Sequence, residues 1–219
     1  MDGSSDFHAF CTIYPLINPR TPRIMIDIPL PTTTSSTHNG LPTTASLTNP
    51  LRIDILDRLQ LLFERMAFHQ AFLFFGCEIG FPSNLLCPPG NCLLLAFERR
   101  FVDTFRSVGM DVRYAWSRDQ VPNEQNQSYS FVTLVSTPPG AQLPSCLRLA
   151  ESLWHGRTLG VGTGHELMRP FAGEGIPLRV GEPDFPEALA RAFHAASQLA
   201  RSDTKRMAHG PNSFGSSRV

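Results

Sequence analysis

DVRYAWSR at residues 111–118 and SYSFVTLVS at residues 128–136 are two stretches in which apolar side chains alternate with polar or small ones. Val112, Tyr114 and Trp116 share one side of the first stretch. An alternation with a period of two is typical of a strand that presents one face to a core. The intervening residues 121–127 are polar and include a proline, as turns do. The two stretches therefore predict a β-hairpin.

On both sides of this hairpin, apolar residues recur at helical or strand spacing. In chain order the pattern predicts a helix near residues 55–66, a strand at 71–79, a helix at 94–108, the hairpin, a helix at 144–155, a strand at 176–180 and a helix from 184 onward. We expect Asp184 to cap the last helix, with Glu187 reaching back as in a capping box. Without the first and last helices, this order is the split β-α-β arrangement of ferredoxin-like domains. The sequence therefore predicts an α+β fold with an extra N-terminal helix and a C-terminal helix.

The first fifty residues differ in composition from the rest. They are rich in Pro, Ser and Thr, and residues 31–40 (PTTTSSTHNG) contain no apolar side chain to bury. Segments of this kind cannot offset the entropy of folding by burying apolar surface. We therefore expect a mostly disordered tail over residues 1–50 and one folded domain over residues 51–219.

The net charge of zero excludes few functions, but the distribution of the charged residues along the sequence is informative. The 219 residues carry 19 basic and 19 acidic side chains, and every basic residue except Lys205 is arginine. Arginine forms bidentate contacts with phosphate, although a GC-rich genome produces the same bias. Residues 188–219 contain five basic residues against one acid, Asp203. This excess at the C-terminal end favours a nucleic-acid partner.

Other features predict a cytoplasmic protein without a membrane partner. The longest apolar runs are far too short to cross a bilayer, and no signal-peptide pattern is present. The five cysteines have irregular spacing, which indicates neither a disulfide framework nor a zinc site. No two histidines lie within four residues of each other, so no local pair of metal ligands exists.

Three stretches, one of which overlaps the first strand of the hairpin, carry a resemblance to a known family. They are residues 73–82 (LFFGCEIGFP), residues 113–120 (RYAWSRDQ) and residues 196–218, which contain ASQLAR, then TK, then SFGSSR. In order and spacing they are similar to motifs of the filamentous-phage (inovirus) replication-protein family, also known by its YagK/YfjJ C-terminal domain. The resemblance covers about residues 52–218. It implies the core of an HUH endonuclease, an enzyme that initiates rolling-circle replication by nicking DNA.

The resemblance also implies that the nicking residues are missing here. In the family, two histidines at i and i+2 of a strand hold Mg²⁺ or Mn²⁺ together with a carboxylate, and a helical tyrosine attacks the phosphorus. This chain has Ser128 and Ser130 at the two histidine positions and Gln198 at the tyrosine position. Glu78 keeps a carboxylate and is the candidate metal ligand. We therefore expect no intact catalytic site and no cofactor, with Mg²⁺ or Mn²⁺ needed only if some activity is retained.

From the resemblance we expect a phage- or prophage-derived protein of the bacterial cytoplasm that binds single-stranded or hairpin DNA without nicking it, with replication proteins as further partners. Basic residues would contact the phosphates: Arg99, Arg100, Arg113, Arg118, Arg201, Lys205, Arg206 and Arg218, with Arg106 beside the first two. Trp116 or Tyr129 could stack on bases if exposed, but both are more typical of a core.

Two alternatives remain open at this stage. The chain could be an active metal-dependent nickase that uses other residues, for example Glu78, Asp119 and His194 around a metal ion. It could instead be a protein-interaction or regulatory module of a mobile element that does not bind DNA.

Overall fold

The computed structural model describes residues 30–81, 91–119, 128–138, 145–155, 167–202 and 213–218. In this part of the chain the helices are α1 (Ile53–Met66), α2 (Cys92–Arg106), α3 (Cys146–His155) and α4 (Phe185–Ala196), and a 3₁₀ helix (Ser197–Ala200) continues α4. The strands are β1 (Thr32–Thr33), β2 (Thr37–His38), β3 (Leu41–Pro42), β4 (Leu51–Arg52), β5 (Ala71–Ile79), β6 (Val112–Asp119), β7 (Ser128–Ser136), β8 (Met168–Pro170), β9 (Ile176–Arg179) and β10 (Phe214–Ser216).

Six of these strands form one antiparallel sheet. Its order is β10-β6-β7-β5, and both β8 and β9 pair with the remaining edge of β5. The predicted hairpin is confirmed, because β6 pairs with β7 from Val112–Val135 to Asp119–Ser128. At the β5 edge, β8 and β9 are short, and each contains a proline, Pro170 and Pro177. The fold is α+β, as the sequence predicts.

Helices cover both faces of the sheet, so the molecule has three layers. Alternate side chains of β5 point to opposite faces. Phe72 and Phe74 pack with α1 and α4, whereas Phe75, Cys77 and Ile79 pack with α2 and α3. We call the two sides the α1 face and the α2 face. Burial on both sides explains why residues 71–79 are apolar almost without interruption.

Aromatic rings fill the space between α2 and the sheet. Phe97 and Phe101 of α2 both meet the ring of Phe131 on β7 edge to face, with centroids 5.4 and 5.5 Å apart. Trp154 of α3 closes the cluster against Phe97 at 5.7 Å, and its Nε1 donates to the Gly80 carbonyl over 2.9 Å. Large buried rings of this kind supply much of the apolar area that stabilises a core.

A carboxylate at the edge of this core ties α2 to β6. Trp116 Nε1 donates to Glu98 Oε2 over 3.1 Å, and the Tyr114 side chain also hydrogen-bonds to Glu98. Burial raises the pKa of Glu98 by more than these hydrogen bonds and the nearby charges of Arg99 and Arg106 lower it, so the pKa lies above its usual value. Folding therefore shifts the protonation equilibrium of this carboxyl toward its protonated form.

Residues 30–50 form short strands that pack against the rest of the fold. β1 pairs with β4, and β2 and β3 form a small hairpin. Thr44 donates its backbone N–H to the Ser197 hydroxyl over 2.9 Å, and His38 Nε2 lies 2.9 Å from Asp57 on α1. Leu41 and Ala45 pack against the core of the α1 face, and the polar contacts tie this stretch to α1 and the 3₁₀ helix. The described secondary structure therefore begins upstream of the boundary predicted at residue 50; residues 1–29 lie outside the described part of the chain.

Two smaller expectations also differ from the structure. Asp184 precedes α4 but has helical backbone angles (φ −85°, ψ −6°), and its side chain makes no capping hydrogen bond. The predicted capping box is therefore wrong, because the cap needs an extended backbone at that residue. A proline in the first turn and the negative charge of Glu187 favour the start of this helix instead. The structure also contains β8, a short strand between α3 and β9 that the predicted order of elements does not include.

Truncation of the aromatic cluster gives the first prediction. Phe101→Ala should lower the free energy of unfolding by about 3–5 kcal/mol, because it leaves a cavity among rings that cannot all close in. Urea unfolding followed by circular dichroism measures the change. Leu95→Ala is the matched control, since Leu95 lies on the same helix but is 47% exposed. Similar losses for the two variants would contradict the assignment of Phe101 to the core.

The raised pKa of Glu98 gives a second prediction. Its stabilising contribution is fully present below the unfolded-state pKa and is lost as the pH rises through the higher folded-state pKa. Glu98→Gln keeps an acceptor for Trp116 but cannot ionise. We therefore consider the unfolding free energy of the variant minus that of the unsubstituted protein. We expect this difference to increase between about pH 4 and about pH 7. Paired urea titrations at each pH measure this difference, and a difference that stays constant or decreases would disprove the assignment.

Candidate functional site

A strip of polar side chains lies on the α1 face, at the end of the sheet where β5 and β6 finish and β7 begins. Strand alternation places five residues on this face: Glu78, Ser117, Asp119, Ser128 and Ser130. Glu78 and Ser117 each pair with Ser130, from the two neighbouring strands, and Asp119 pairs with Ser128. We call these five residues the polar strip. Directly beyond it, the Phe171 ring covers Gly76, where the apolar core begins.

One side of the polar strip is closed and the other is accessible. Ser117 is fully buried, and its hydroxyl has no hydrogen-bond partner among the described residues. Ser130 is also buried and donates to Asp119 Oδ2 over 3.1 Å. Glu78 and Ser128 are partly exposed. A ligand could therefore reach the strip from the side of Glu78 and Ser128.

The position expected to hold the family's tyrosine lies on the same side of the sheet. Gln198 belongs to the 3₁₀ helix, which contacts α1, β6 and β7. Ser197 fixes the start of this turn by donating to the His194 carbonyl over 2.7 Å. Leu199 and Ala200 enter the core on the α1 face. Three separate segments of the chain thus bring Glu78, Ser128, Ser130 and Gln198 to one side of the sheet.

The polar strip does not suit a metal ion of the family's kind. Serine hydroxyls are poor ligands for divalent cations compared with imidazole. Among the described residues, no group of three His, Cys, Asp or Glu side chains could hold a metal. Glu78, Asp119 and His194, considered together as an alternative site, do not form such a group. His194 is exposed on α4 and lines a groove of about 400 Å³ with Pro42, Phe171 and Ile176.

The arginines expected to contact DNA do not form a single surface. Arg99, Arg100 and Arg106 are exposed on α2, on the α2 face. Arg201 is exposed after the 3₁₀ helix, on the α1 face. Arg113 donates to the Arg218 carbonyl over 2.7 Å at the β10 edge. Lys205 and Arg206 lie outside the described residues.

Three further side chains serve the fold instead of an exposed surface. Arg118 is only 2% exposed and directs its guanidinium toward Asn91 at the start of α2. Trp116 and Tyr129 are buried in the core of the α2 face, where the Tyr129 hydroxyl also donates to Asn91. They are therefore not available to stack on bases, and their alternation in the sequence indicates core packing.

Sequence reasoning missed two residues of this region. Arg169 on β8 pairs with Glu78 and is exposed, so a positive charge lies beside the accessible side of the polar strip. A three-residue strand has no periodicity that could reveal it. Ser117 was also missed, although it alternates with Trp116 and Arg118 and so had to lie on the opposite face from both.

Comparisons with models of known protein families, with curated proteins and with solved structures each found no match. Within the described residues, no helix is both long and apolar enough to cross a membrane. The functional interpretation therefore depends on the residues of this chain and their geometry.

The polar strip gives a third prediction, which compares serine-to-alanine substitutions at two neighbouring positions. Ser130→Ala removes the hydrogen bond to Asp119 and should cost about 1 kcal/mol of unfolding free energy. Ser117→Ala removes a buried hydroxyl without a partner, and should leave stability unchanged or raise it by about 1 kcal/mol. Thermal and urea unfolding of both variants measure the difference. Equal destabilisation by the two substitutions would contradict the distinct roles of these hydroxyls.

Proposed function

We propose that this chain is a DNA-binding protein with the architecture of a rolling-circle replication initiator, in which the nicking site has been replaced. In this proposal it binds single-stranded or hairpin DNA and leaves the phosphodiester bonds intact. Its origin would be a phage or prophage, as the resemblance in three stretches of sequence implies.

The observation that carries the proposal is that Glu78 and the three substituted positions lie on one side of the sheet. Glu78 and Ser130 are direct cross-strand partners, Ser128 follows two residues away, and the turn with Gln198 packs on the same side of the sheet. These residues come from segments separated by up to 120 positions in the sequence. A chance similarity of short motifs gives no reason for all four to lie on one side of the sheet. This shared placement supports the family alignment and hence an HUH-like core.

The strand order supports the same proposal. Without β8 and β10, the order β6-β7-β5-β9 is fully antiparallel, with α2 and α3 together on one face. In chain order these are strands two, three, one and four, which is the order of the split β-α-β arrangement. The same arrangement occurs in proteins of many functions, so it supports the fold of an initiator more than its activity.

The chemistry of the substituted side chains explains why binding without cleavage is proposed. Cleavage in such enzymes needs a metal ion to polarise the phosphate and a hydroxyl nucleophile on the helix. Ser128 and Ser130 are weak substitutes for imidazole, and Ser130 is already engaged with Asp119. The Gln198 amide cannot form the covalent bond to phosphorus that a tyrosine forms.

The α2 arginines are the best candidates for phosphate contacts. Arg99, Arg100 and Arg106 are exposed on one helix, and none is engaged in an ion pair among the described residues. Neutralising three phosphates of a single strand would make log K fall with log salt at a slope of about −2. The proposed binding is therefore sensitive to ionic strength.

Removal of these charges gives the fourth prediction. The triple variant Arg99→Ala/Arg100→Ala/Arg106→Ala should bind a fluorescent hairpin or single strand at least about tenfold more weakly, with a shallower salt slope. Fluorescence anisotropy over a salt series measures both quantities. Gel electrophoresis after incubation with Mn²⁺ should show intact DNA.

The matched control removes the same charge elsewhere. Arg65, Arg179 and Arg191 are exposed on α1, β9 and α4, and the variant with alanine at all three should retain most of the affinity. Equal weakening in both triple variants would show that only net charge matters. Affinity that does not depend on salt would overturn DNA binding through phosphates, and metal-dependent cleavage would overturn the loss of nicking.

A further inference from the structure

The end of the chain lies as an extended segment along the outer edge of β6. We call residues 213–218 the C-terminal segment. Within it, β10 pairs with residues 115–117, with Gly215 opposite Trp116. The pairing extends at both ends, since Arg118 donates its N–H to the Ser213 carbonyl over 2.8 Å and Ser217 donates its N–H to the Tyr114 carbonyl over 2.9 Å. The segment thus binds the sheet through its backbone, as an added strand does.

Gly215 is the position with the strictest steric requirement. The Trp116 indole lies directly under its backbone on the α2 face, and a Cβ at residue 215 would be 2.5 Å from two indole carbons. Real side chains do not approach this closely. The indole cannot easily move away, because Glu98 accepts a hydrogen bond from its nitrogen and the Tyr129 ring packs against it in an edge-to-face arrangement. The edge of β6 therefore accepts only glycine at this point.

Two arginines donate hydrogen bonds to the Ser216 hydroxyl and to the last two backbone carbonyls of the segment. Arg58 on α1 donates to the Ser216 hydroxyl over 2.8 Å and to the Ser217 carbonyl over 2.7 Å. Arg113 donates to the Arg218 carbonyl over 2.7 Å. It is held in place by Asp111, whose Oδ2 lies 3.2 Å from its guanidinium. These are charge-assisted hydrogen bonds, which are the stronger kind.

Phe214 and Ser217 of the C-terminal segment also make contacts that depend on their side chains. Phe214 packs against the core on the α1 face. Ser217 is buried, and its hydroxyl lies 3.2 Å from the Tyr114 backbone nitrogen. Phenylalanine, glycine and two serines thus each meet a matching feature. Since strand addition gives affinity through the backbone and specificity through such features, this edge has the properties of a peptide-binding groove.

We propose that the edge of β6, together with Arg58, Arg113 and Trp116, is a groove selective for the sequence Phe-Gly-Ser-Ser. The chain fills it with its own C-terminal segment, and the groove accepts the same segment from a second copy of the chain when its own is released. In cis the segment has a high effective concentration, so exchange requires that release. Of the polar strip, the groove uses only Ser117, which pairs with Phe214 along the edge of β6. It uses none of the three α2 arginines.

The test begins from the folded full-length protein. A protease site is introduced within residues 203–212, outside the described part of the chain, and the purified protein is then cleaved. The probe for the second copy's segment is a fluorescent peptide of residues 211–219 (PNSFGSSRV). The control peptide carries Gly215→Ala. Binding is followed by anisotropy, and folding by circular dichroism.

We expect the cleaved segment to co-elute with the protein in gel filtration until excess peptide replaces it. The alanine peptide should bind at least about tenfold more weakly, because its Cβ collides with Trp116. If the protein unfolds on cleavage, refolding on addition of the glycine peptide but not the alanine peptide supports the groove equally. Equal binding of the two peptides, or loss of the segment from a folded protein that does not rebind the peptide, would overturn the proposal. Neither result depends on DNA binding.

Discussion

The pairing of β5 with β7 is the constraint on which the rest of the structure depends. The two strands are joined from Phe72 to Ile79, and each is buried on both faces. Because their side chains alternate between two helix layers, the register fixes which residues meet α1 and which meet α2. A shift by one residue would exchange the two sets and place Glu78 and Ser130 in an aromatic core. The same register therefore positions both the core and the polar strip.

Most of the sheet could be predicted from sequence because its central strands are long and periodic. The hairpin of β6 and β7 and the strand β5 appear as alternation or as an uninterrupted apolar run, and the four helices appear at a spacing of three to four. The short edge strands and residues 30–50 could not be predicted, because they depend on partners distant in sequence. Thr44, for example, has a defined place only because Ser197, 153 residues later, lies opposite it.

The residues of the polar strip could largely be predicted from the sequence, whereas the positions of the arginines could not. Alternation alone places Ser128 and Ser130 on one face, and Glu78 needed only the pairing of β5 with β7 to join them. The distribution of the arginines over several surfaces could not be predicted, because the sequence position of a charged residue does not show which way its side chain points. Arg118 shows this most clearly, since a residue that looked suited to phosphate is enclosed beside Asn91.

The prolines at the β5 edge have a consequence for how the molecule behaves in a crowded solution. An open strand edge offers backbone donors to any other strand, and unprotected edges are where sheets join into aggregates. Pro170 and Pro177 each lack one such donor, and β8 and β9 are too short to template a long ladder. In the described part of the chain, the three-residue strand β10 lies at the opposite edge. The protein can therefore keep a large, apolar sheet without propagating it from one molecule to the next.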